Sequence, residues 1–149
     1  MNVLLVGSSG GHLAQLMLLR PWWEEHERLW VTFQTPDAVA RLREEPTRWA
    51  FHPTTRNLPN LLRNTWQALG VLRAFRPDVI VTTGAGVAVP YFWLARLFRA
   101  CTVYLEVYDR VHSRTLTARL CRPFTDLFLV QWEEQQRLYR GSVLLGPVW

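Results

Sequence analysis

Lysine is absent from this 149-residue chain; all seventeen basic residues are arginine. No function attaches to that bias by itself. Cysteine is scarce: Cys101 and Cys121 are the only two, and they show no metal-ligand spacing. They are expected as buried free thiols, one in a strand and one in a helix, and no metal is expected. No apolar run approaches the roughly 20 residues of a membrane-spanning helix. The start lacks a charged segment followed by a cleavage site, so no signal peptide is expected and a cytoplasmic location is the expectation. Repeats, low-complexity stretches and linkers are missing. No nucleic-acid motif accompanies the net charge of +5, so nucleic acid is not expected as a partner.

What is present is a chain that is 49% hydrophobic, long enough to bury its own core as one domain over residues 1–149. Eight tryptophans are unusual. Several stand near arginines, as Trp22, Trp23 and Trp93 do. Tryptophan with arginine suits a membrane–water or protein interface, and the positive charge favours an anionic surface or ligand.

The first twenty residues organise the rest. Residues 2–6 read as a buried strand, Gly7-Ser8-Ser9-Gly10-Gly11 as a small-residue turn, and 12–20 as an amphipathic helix. Strand, glycine turn and helix open many α/β sheets, whose ligands bind beyond the carboxyl ends of the strands. The turn is not a dinucleotide fingerprint, because the third glycine of G-x-G-x-x-G is missing. Further strands are predicted at 29–33, 49–51, 79–82, 101–105, 127–130 and 143–145. The intervening helices are predicted at 35–44, 60–75, 87–99 and 117–121. Leu61, Leu62, Thr65, Ala68, Leu69 and Leu72 are assigned to the inner side of the long helix. Strict alternation implies a Rossmann-like, doubly wound parallel sheet of about six or seven strands.

Three segments then share the sheet's carboxyl edge: 7–12, 83–86 and 106–113. Gly84 and Gly86 form a second glycine turn, and both turns are expected to offer N–H groups to a phosphorylated or sugar-bearing ligand. His12, at a helix start, is either a neutral proton acceptor or a capping residue. Glu106 directly follows an apolar strand. It reads as a general base or a holder of a sugar hydroxyl, or else as the ion-pair partner of Arg110 or Arg114. The aromatic helix at 87–99 either covers the sheet or, with Arg96 and Arg99, inserts into a bilayer surface.

Four motifs occur in matching order: VGSSGGHL (6–13), TTGAGVAVP (82–90), YLEVYDRVHS (104–113) and LFLVQWEE (127–134). On these the chain resembles the acceptor half of split GT-B glycosyltransferases. That group comprises the membrane-recruiting subunit family of the dolichol-pathway N-acetylglucosaminyltransferase and bacterial PssD/CpsF-type polysaccharide biosynthesis proteins. The resemblance implies the N-terminal half of a GT-B enzyme, active with a separate donor-binding subunit. The acceptor would be a polyprenyl-diphosphate-linked sugar at the inner membrane face, and the transfer would be inverting. No cofactor is implied beyond a nucleotide-sugar substrate held mainly by the partner. Glu106 and His12 would be catalytic. Ser8, Ser9, Gly10, Gly11, Gly84, Gly86, Arg110 and Ser113 would bind the acceptor and its phosphates. Membrane contact is expected from Trp22, Trp23, Phe92, Trp93, Arg96 and Arg99, and partner contact from Trp132, Val148 and Trp149. A free-standing nucleotide-binding or regulatory domain, and a non-catalytic membrane scaffold, are the alternatives.

Overall fold

Apolar strands and helices alternate along the computed structural model of the protein, which describes residues 1–148. In chain order they are β1 (Asn2–Val6), α1 (Gly11–Leu18), α2 (Arg20–Trp23), β2 (Glu27–Phe33), α3 (Pro36–Arg41), β3 (Thr47–Ala50), α4 (Leu58–Phe75), β4 (Val79–Thr82), α5 (Ala88–Ala95), β5 (Cys101–Leu105), α6 (Leu116–Cys121), β6 (Leu127–Val130), α7 (Glu133–Leu138) and β7 (Val143–Leu144). Short 3-10 turns at Arg96–Phe98 and Arg122–Phe124 extend α5 and α6. The seven strands form one sheet in the order β3-β2-β1-β4-β5-β6-β7, every neighbouring pair parallel. This is the doubly wound parallel sheet expected from the alternation.

β1 is an interior strand, third in the order, and both of its faces are apolar. Val3 and Leu5 enter one core with Leu13, Leu16, Trp23 and Trp30. Leu4 and Val6 enter the other, with Leu72, Ile80, Tyr91 and Phe92. Successive strand residues point to opposite faces, so a strand covered twice has no polar alternation. Burying each such aliphatic side chain contributes about 1.5–3 kcal/mol. Between β3 and β4 the chain crosses from one side of β1 to the other. Right-handed crossovers therefore set α1 and α3 on one face and α4, α5 and α6 on the opposite face. The strand order reverses between β1 and β4, and the carboxyl ends there open a crevice.

Several boundaries differ from the sequence reading. α1 ends at Leu18, and Pro21 sits in the first turn of a new short helix, where its missing N–H costs nothing. α3 stops at Arg41 rather than near 44. β3 runs Thr47–Ala50 and leaves out Phe51. α4 begins at Leu58 because the Asn57 side chain accepts the Asn60 N–H at 2.9 Å, a cap worth about 1 kcal/mol. Its inner face carries Asn60, Asn64, Ala68, Val71 and Leu72, whereas Leu62 is 64% exposed. The physical reason is Asn64. Its Oδ1 accepts the Phe51 N–H and its Nδ2 donates to the Phe51 carbonyl, both at 2.9 Å. Satisfying that backbone turns an asparagine inward and a leucine outward. Cys121 is buried as expected; Cys101 is exposed at the start of β5.

Candidate active site at the carboxyl edge of the sheet

The turns after β1 and β4 diverge at the crevice and are tied together there. The Thr83 hydroxyl donates to the His12 carbonyl at 2.8 Å, and His12 Nδ1 lies 2.8 Å from the Thr83 carbonyl oxygen. A carbonyl can only accept, so Nδ1 carries the proton and Nε2 is the basic nitrogen of the neutral ring. Burial is the main cause that lowers the His12 pKa, and Arg110 adds to it. The Thr83 bond and Asp109 oppose the shift. His12 is therefore held neutral with its tautomer set.

Glu106 leaves the end of β5 and is almost wholly buried. Its Oε1 accepts the Val107 N–H at 3.2 Å, and its Oε2 has no hydrogen-bond partner. Burial raises its pKa. The nearby Tyr139 hydroxyl, the Val107 N–H and Arg110 pull it back down, while Asp109 adds to the rise. Tyr139 acts on Glu106 without closing a hydrogen bond to Oε2; its hydroxyl accepts the Thr115 N–H at 3.1 Å. Neither arginine weighed as an ion-pair partner forms a salt bridge with Glu106 among the described residues. Arg114 instead donates to the Leu138 carbonyl.

His12, Glu106 and Arg110 line one cavity of about 150 Å³, with Tyr104, Thr115 and Thr117 also on its wall. A neutral imidazole, a carboxyl group and a guanidinium thus meet in a small, polar, partly desolvated space. Two acid–base groups with opposite pKa shifts in one cleft form a candidate catalytic site.

The loop bearing Glu106 is clamped from behind. Gln131 Nε2 donates to the Glu106 carbonyl at 3.0 Å, and Gln135 Nε2 donates to the Val107 carbonyl at 2.7 Å. Gln131 also bonds Gln15 at 3.2 Å, while Gln135 Oε1 accepts the Gln131 N–H at 2.8 Å. Trp132 Nε1 donates to the Tyr108 carbonyl at 2.8 Å. Sequence reasoning missed Gln131, Gln135, Thr83 and Tyr139. One signal was available: Gln131 directly follows an apolar strand, just as Glu106 does.

The glycine turns are less open than expected. The Gly10 N–H already donates to Asp37 at 3.0 Å. That carboxyl is held below its usual pKa, first by the Thr35 hydroxyl and then by Gly10. The Gly84 N–H donates to the Thr82 hydroxyl at 2.9 Å. Two of the N–H groups expected for phosphate are therefore occupied. Gly84 is needed for shape instead: its φ is +110°, and an added Cβ would lie 2.8 Å from the Tyr104 hydroxyl. A Cβ on Gly86 would approach Thr54 to 3.0 Å. Gly11 is exposed at the helix start, Ser8 and Ser9 are half-buried beside it, and Ser113 is exposed and absent from the cavity wall.

The residues chosen for membrane contact divide. Trp23 and Phe92 are core residues and present no surface. Trp23 donates to the Leu16 carbonyl at 2.9 Å and meets Trp30 edge-on. Phe92 meets Tyr104 edge-on. α5 is the middle helix of its layer, flanked by α4 and α6, so it buries most of its circumference. Trp22, Trp93, Arg96 and Arg99 remain exposed. Trp22 follows α1 and Trp93 lies on α5, helices on opposite faces of the sheet, so the two do not share one surface. The most exposed of the large apolar side chains are Leu58, Leu62 and Trp66 on α4, Leu97 beyond α5, and Leu116 on α6; Leu18, Trp22 and Val39 on the other layer are exposed to a lesser degree. Of the partner-contact set, Val148 is half-buried and its N–H donates to Gln131 Oε1 at 3.0 Å. Trp149 lies outside the described residues.

Comparison with known proteins places this arrangement. In the curated set, the human "UDP-N-acetylglucosamine transferase subunit ALG14" is 27% identical over 116 residues, covering 74% of this chain and 51% of that protein. The Eremothecium gossypii subunit of the same name is 36% identical over 99 residues, covering 58% of this chain and 44% of that one. A Syntrophotalea carbinolica protein named "UDP-N-acetylglucosamine--N-acetylmuramyl-(pentapeptide) pyrophosphoryl-undecaprenol N-acetylglucosamine transferase" is 33% identical over 90 residues, 60% of this chain and 24% of its own. The chain thus spans about half, or less, of the length of these relatives. Among solved structures, Acinetobacter baumannii MurG superposes with a TM-score of 0.69 at 15% identity, over 88% of this chain and 41% of that one. The S. aureus MnaA–UDP co-structure superposes with a TM-score of 0.73 at 12% identity, over 99% and 44%. The fold is therefore that of one half of a GT-B enzyme. The model of the family "Oligosaccharide biosynthesis protein Alg14 like" matches residues 48–148, a span that includes Gly84, Glu106 and Arg110 but not His12. The chain belongs to this Alg14-like family.

Proposed function

We propose that the chain is the acceptor-side subunit of a two-component, inverting glycosyltransferase. The donor is a UDP-linked N-acetylhexosamine, held mainly by a separate donor-binding GT-B half. The acceptor is a polyprenyl-diphosphate-linked saccharide. The observation that carries this reading is the convergence of His12, Glu106 and Arg110 on one cavity at the switch point of a GT-B half. The relatives' names add a transferase subunit, a UDP-sugar donor and, in one case, a pyrophosphoryl-undecaprenol acceptor.

In the reaction, the acceptor hydroxyl oxygen attacks the anomeric carbon, the bond to the UDP oxygen breaks, and UDP leaves with the electron pair. The hydroxyl proton passes to His12 Nε2; burial keeps the ring neutral, and the Thr83 carbonyl on Nδ1 fixes the tautomer and turns Nε2 outward. Glu106, with one oxygen lacking a partner, accepts from a neighbouring hydroxyl of the acceptor sugar and so orients the attacking one. Arg110 faces the acceptor diphosphate. Contact with the inner membrane face comes from the apolar side chains on the α4–α6 layer, Leu62, Trp66, Trp93 and Leu97, with Arg63, Arg96 and Arg99 near anionic headgroups.

Co-expression with the candidate donor-binding subunit, followed by transfer from UDP-N-acetylglucosamine to a polyprenyl-diphosphate-linked sugar, tests the reading. Transfer that needs both chains and is lost with His12→Ala supports it. Full activity of that variant, or activity of the donor-binding chain alone, refutes it.

A further inference from the structure

Arginine is unevenly neutralised in this molecule. Arg114, Arg119, Arg122 and Arg140 line one cleft of about 350 Å³ between α6 and the end of α7, and no carboxylate shares its wall. None of the four takes part in a salt bridge among the described residues. Two are anchored. Arg114 Nε donates to the Leu138 carbonyl at 2.6 Å. Arg122 Nη2 donates to the Arg140 carbonyl at 2.6 Å, and the guanidinium lies 4.8 Å from the centre of the Phe128 ring. Those bonds hold the two forks in place and leave their other N–H groups unused. The side chains of Arg119 and Arg140 are exposed and have no partner at all among the described residues.

Four cations facing one cleft repel one another unless an anion joins them, and a guanidinium matches phosphate with two parallel hydrogen bonds. The volume is at the small end of ligand sites, about 300–1,000 Å³. We infer that this cleft is a binding site for the phosphate of an anionic phospholipid headgroup. A lipid source is favoured over free phosphate by the neighbours. α6, which contributes Ala118 and Arg119 to the cleft, also carries the exposed Leu116 and Leu120, and Trp93 Nε1 donates to the Leu120 carbonyl at 3.1 Å. Apolar side chains and a cationic cleft on one short helix match acyl chain and headgroup. The inference rests on the membrane-facing reading above and adds a discrete headgroup site to it.

Vesicle flotation of the full chain tests it, using phosphatidylcholine with and without phosphatidylglycerol. Wild type is expected to float with the anionic vesicles. Arg119→Gln/Arg140→Gln is expected to partition about tenfold less. Arg41→Gln/Arg43→Gln, which removes the same charge from α3 and its end, stays within about twofold of wild type. Equal loss in both double variants, or loss in neither, overturns the site while leaving the membrane reading intact. No flotation of wild type overturns both. Displacement by inorganic phosphate, with chloride at matched ionic strength having no effect, supports a phosphate-recognising cleft on the vesicle; phosphate binding that is lost in Arg119→Gln/Arg140→Gln yet leaves wild-type flotation unchanged overturns the lipid source and assigns the cleft to free phosphate.

Discussion

The two helical layers of this sheet are built from the same residue types and treat them in opposite ways. On the α1–α3 side, arginines meet acids: Arg20 pairs with Glu24, and Arg28 with Glu45 through two hydrogen bonds of 2.6 and 2.9 Å. On the α4–α6 side, Asp78 is the only acidic residue between positions 51 and 105, a stretch with Arg56, Arg63, Arg73, Arg76, Arg96 and Arg99. The same side exposes Trp66 at 79% and Leu97 at 74%. Cations partly matched by acids, with smaller apolar exposure (Val39 at 44%, Trp22 at 39%), describe a face in water. Unpaired cations among exposed apolar side chains describe a face that awaits an apolar, anionic surface. The active-site candidates sit where these layers part.

The largest effect should come from that dividing line. His12→Ala removes the proton acceptor and is expected to lower kcat of the reconstituted pair by about a hundredfold or more, with the thermal midpoint little changed. Retained activity would detach the cavity from catalysis and leave only the layer comparison standing. Next comes the contrast of the faces themselves. Leu62→Glu/Trp66→Glu should reduce flotation with anionic vesicles by about tenfold or more, and Trp22→Glu/Val39→Glu on the other layer should not. Equal losses would erase the distinction.

Glycines sharpen the comparison between the crevice and the outer helix face. Gly84→Ala meets the Tyr104 hydroxyl and a φ of +110°, and is expected to cost about 1–3 kcal/mol in urea unfolding. Gly70→Ala lies within α4 with open space around the new Cβ, and should gain about 0.5–1 kcal/mol. Reversal of these signs would contradict the packing described here.

The smallest effect concerns pH. Burial raises the Glu106 pKa, so the folded state binds this proton more tightly than the unfolded chain, whose glutamate titrates near about 4.3. Ionised Glu106 therefore costs stability at neutral pH, and the cost disappears as pH falls toward the unfolded value. Glu106→Gln should be more stable than wild type at neutral pH, with the gap closing on acidification, even as its transfer activity falls. A gap that widens on acidification would mean the carboxylate is stabilised in place.

Periodicity and turn chemistry made the sheet legible, because a strand buried on both faces is apolar nearly throughout, as β4 (VIVT) is, with the Thr82 hydroxyl satisfied by the Val6 carbonyl. They also placed His12 and Glu106 at one edge, since a polar residue directly after such a strand, or at the start of the helix after its glycine turn, lies at the strand's carboxyl end. Periodicity misplaced Leu62, and the pairing of aromatics with arginines misplaced Trp23 and Phe92. A helix's inward stripe depends on what it packs against, and α4 turns inward the asparagine that satisfies Phe51. α5 buries nearly its whole girth because helices flank it on both sides.

What the sequence determined alone is the alternation of elements and the set of chemistry-bearing residues at one edge, both of which follow from local spacing. Tertiary structure alone decided which donors are already taken, as with Asp37 on Gly10 and Thr82 on Gly84. It also decided the proton position on His12 and the joining of Arg140 to the three arginines around α6. Hydrogen bonds and charge pairing depend on distances between residues far apart in the chain, and those distances exist only once the layers have packed.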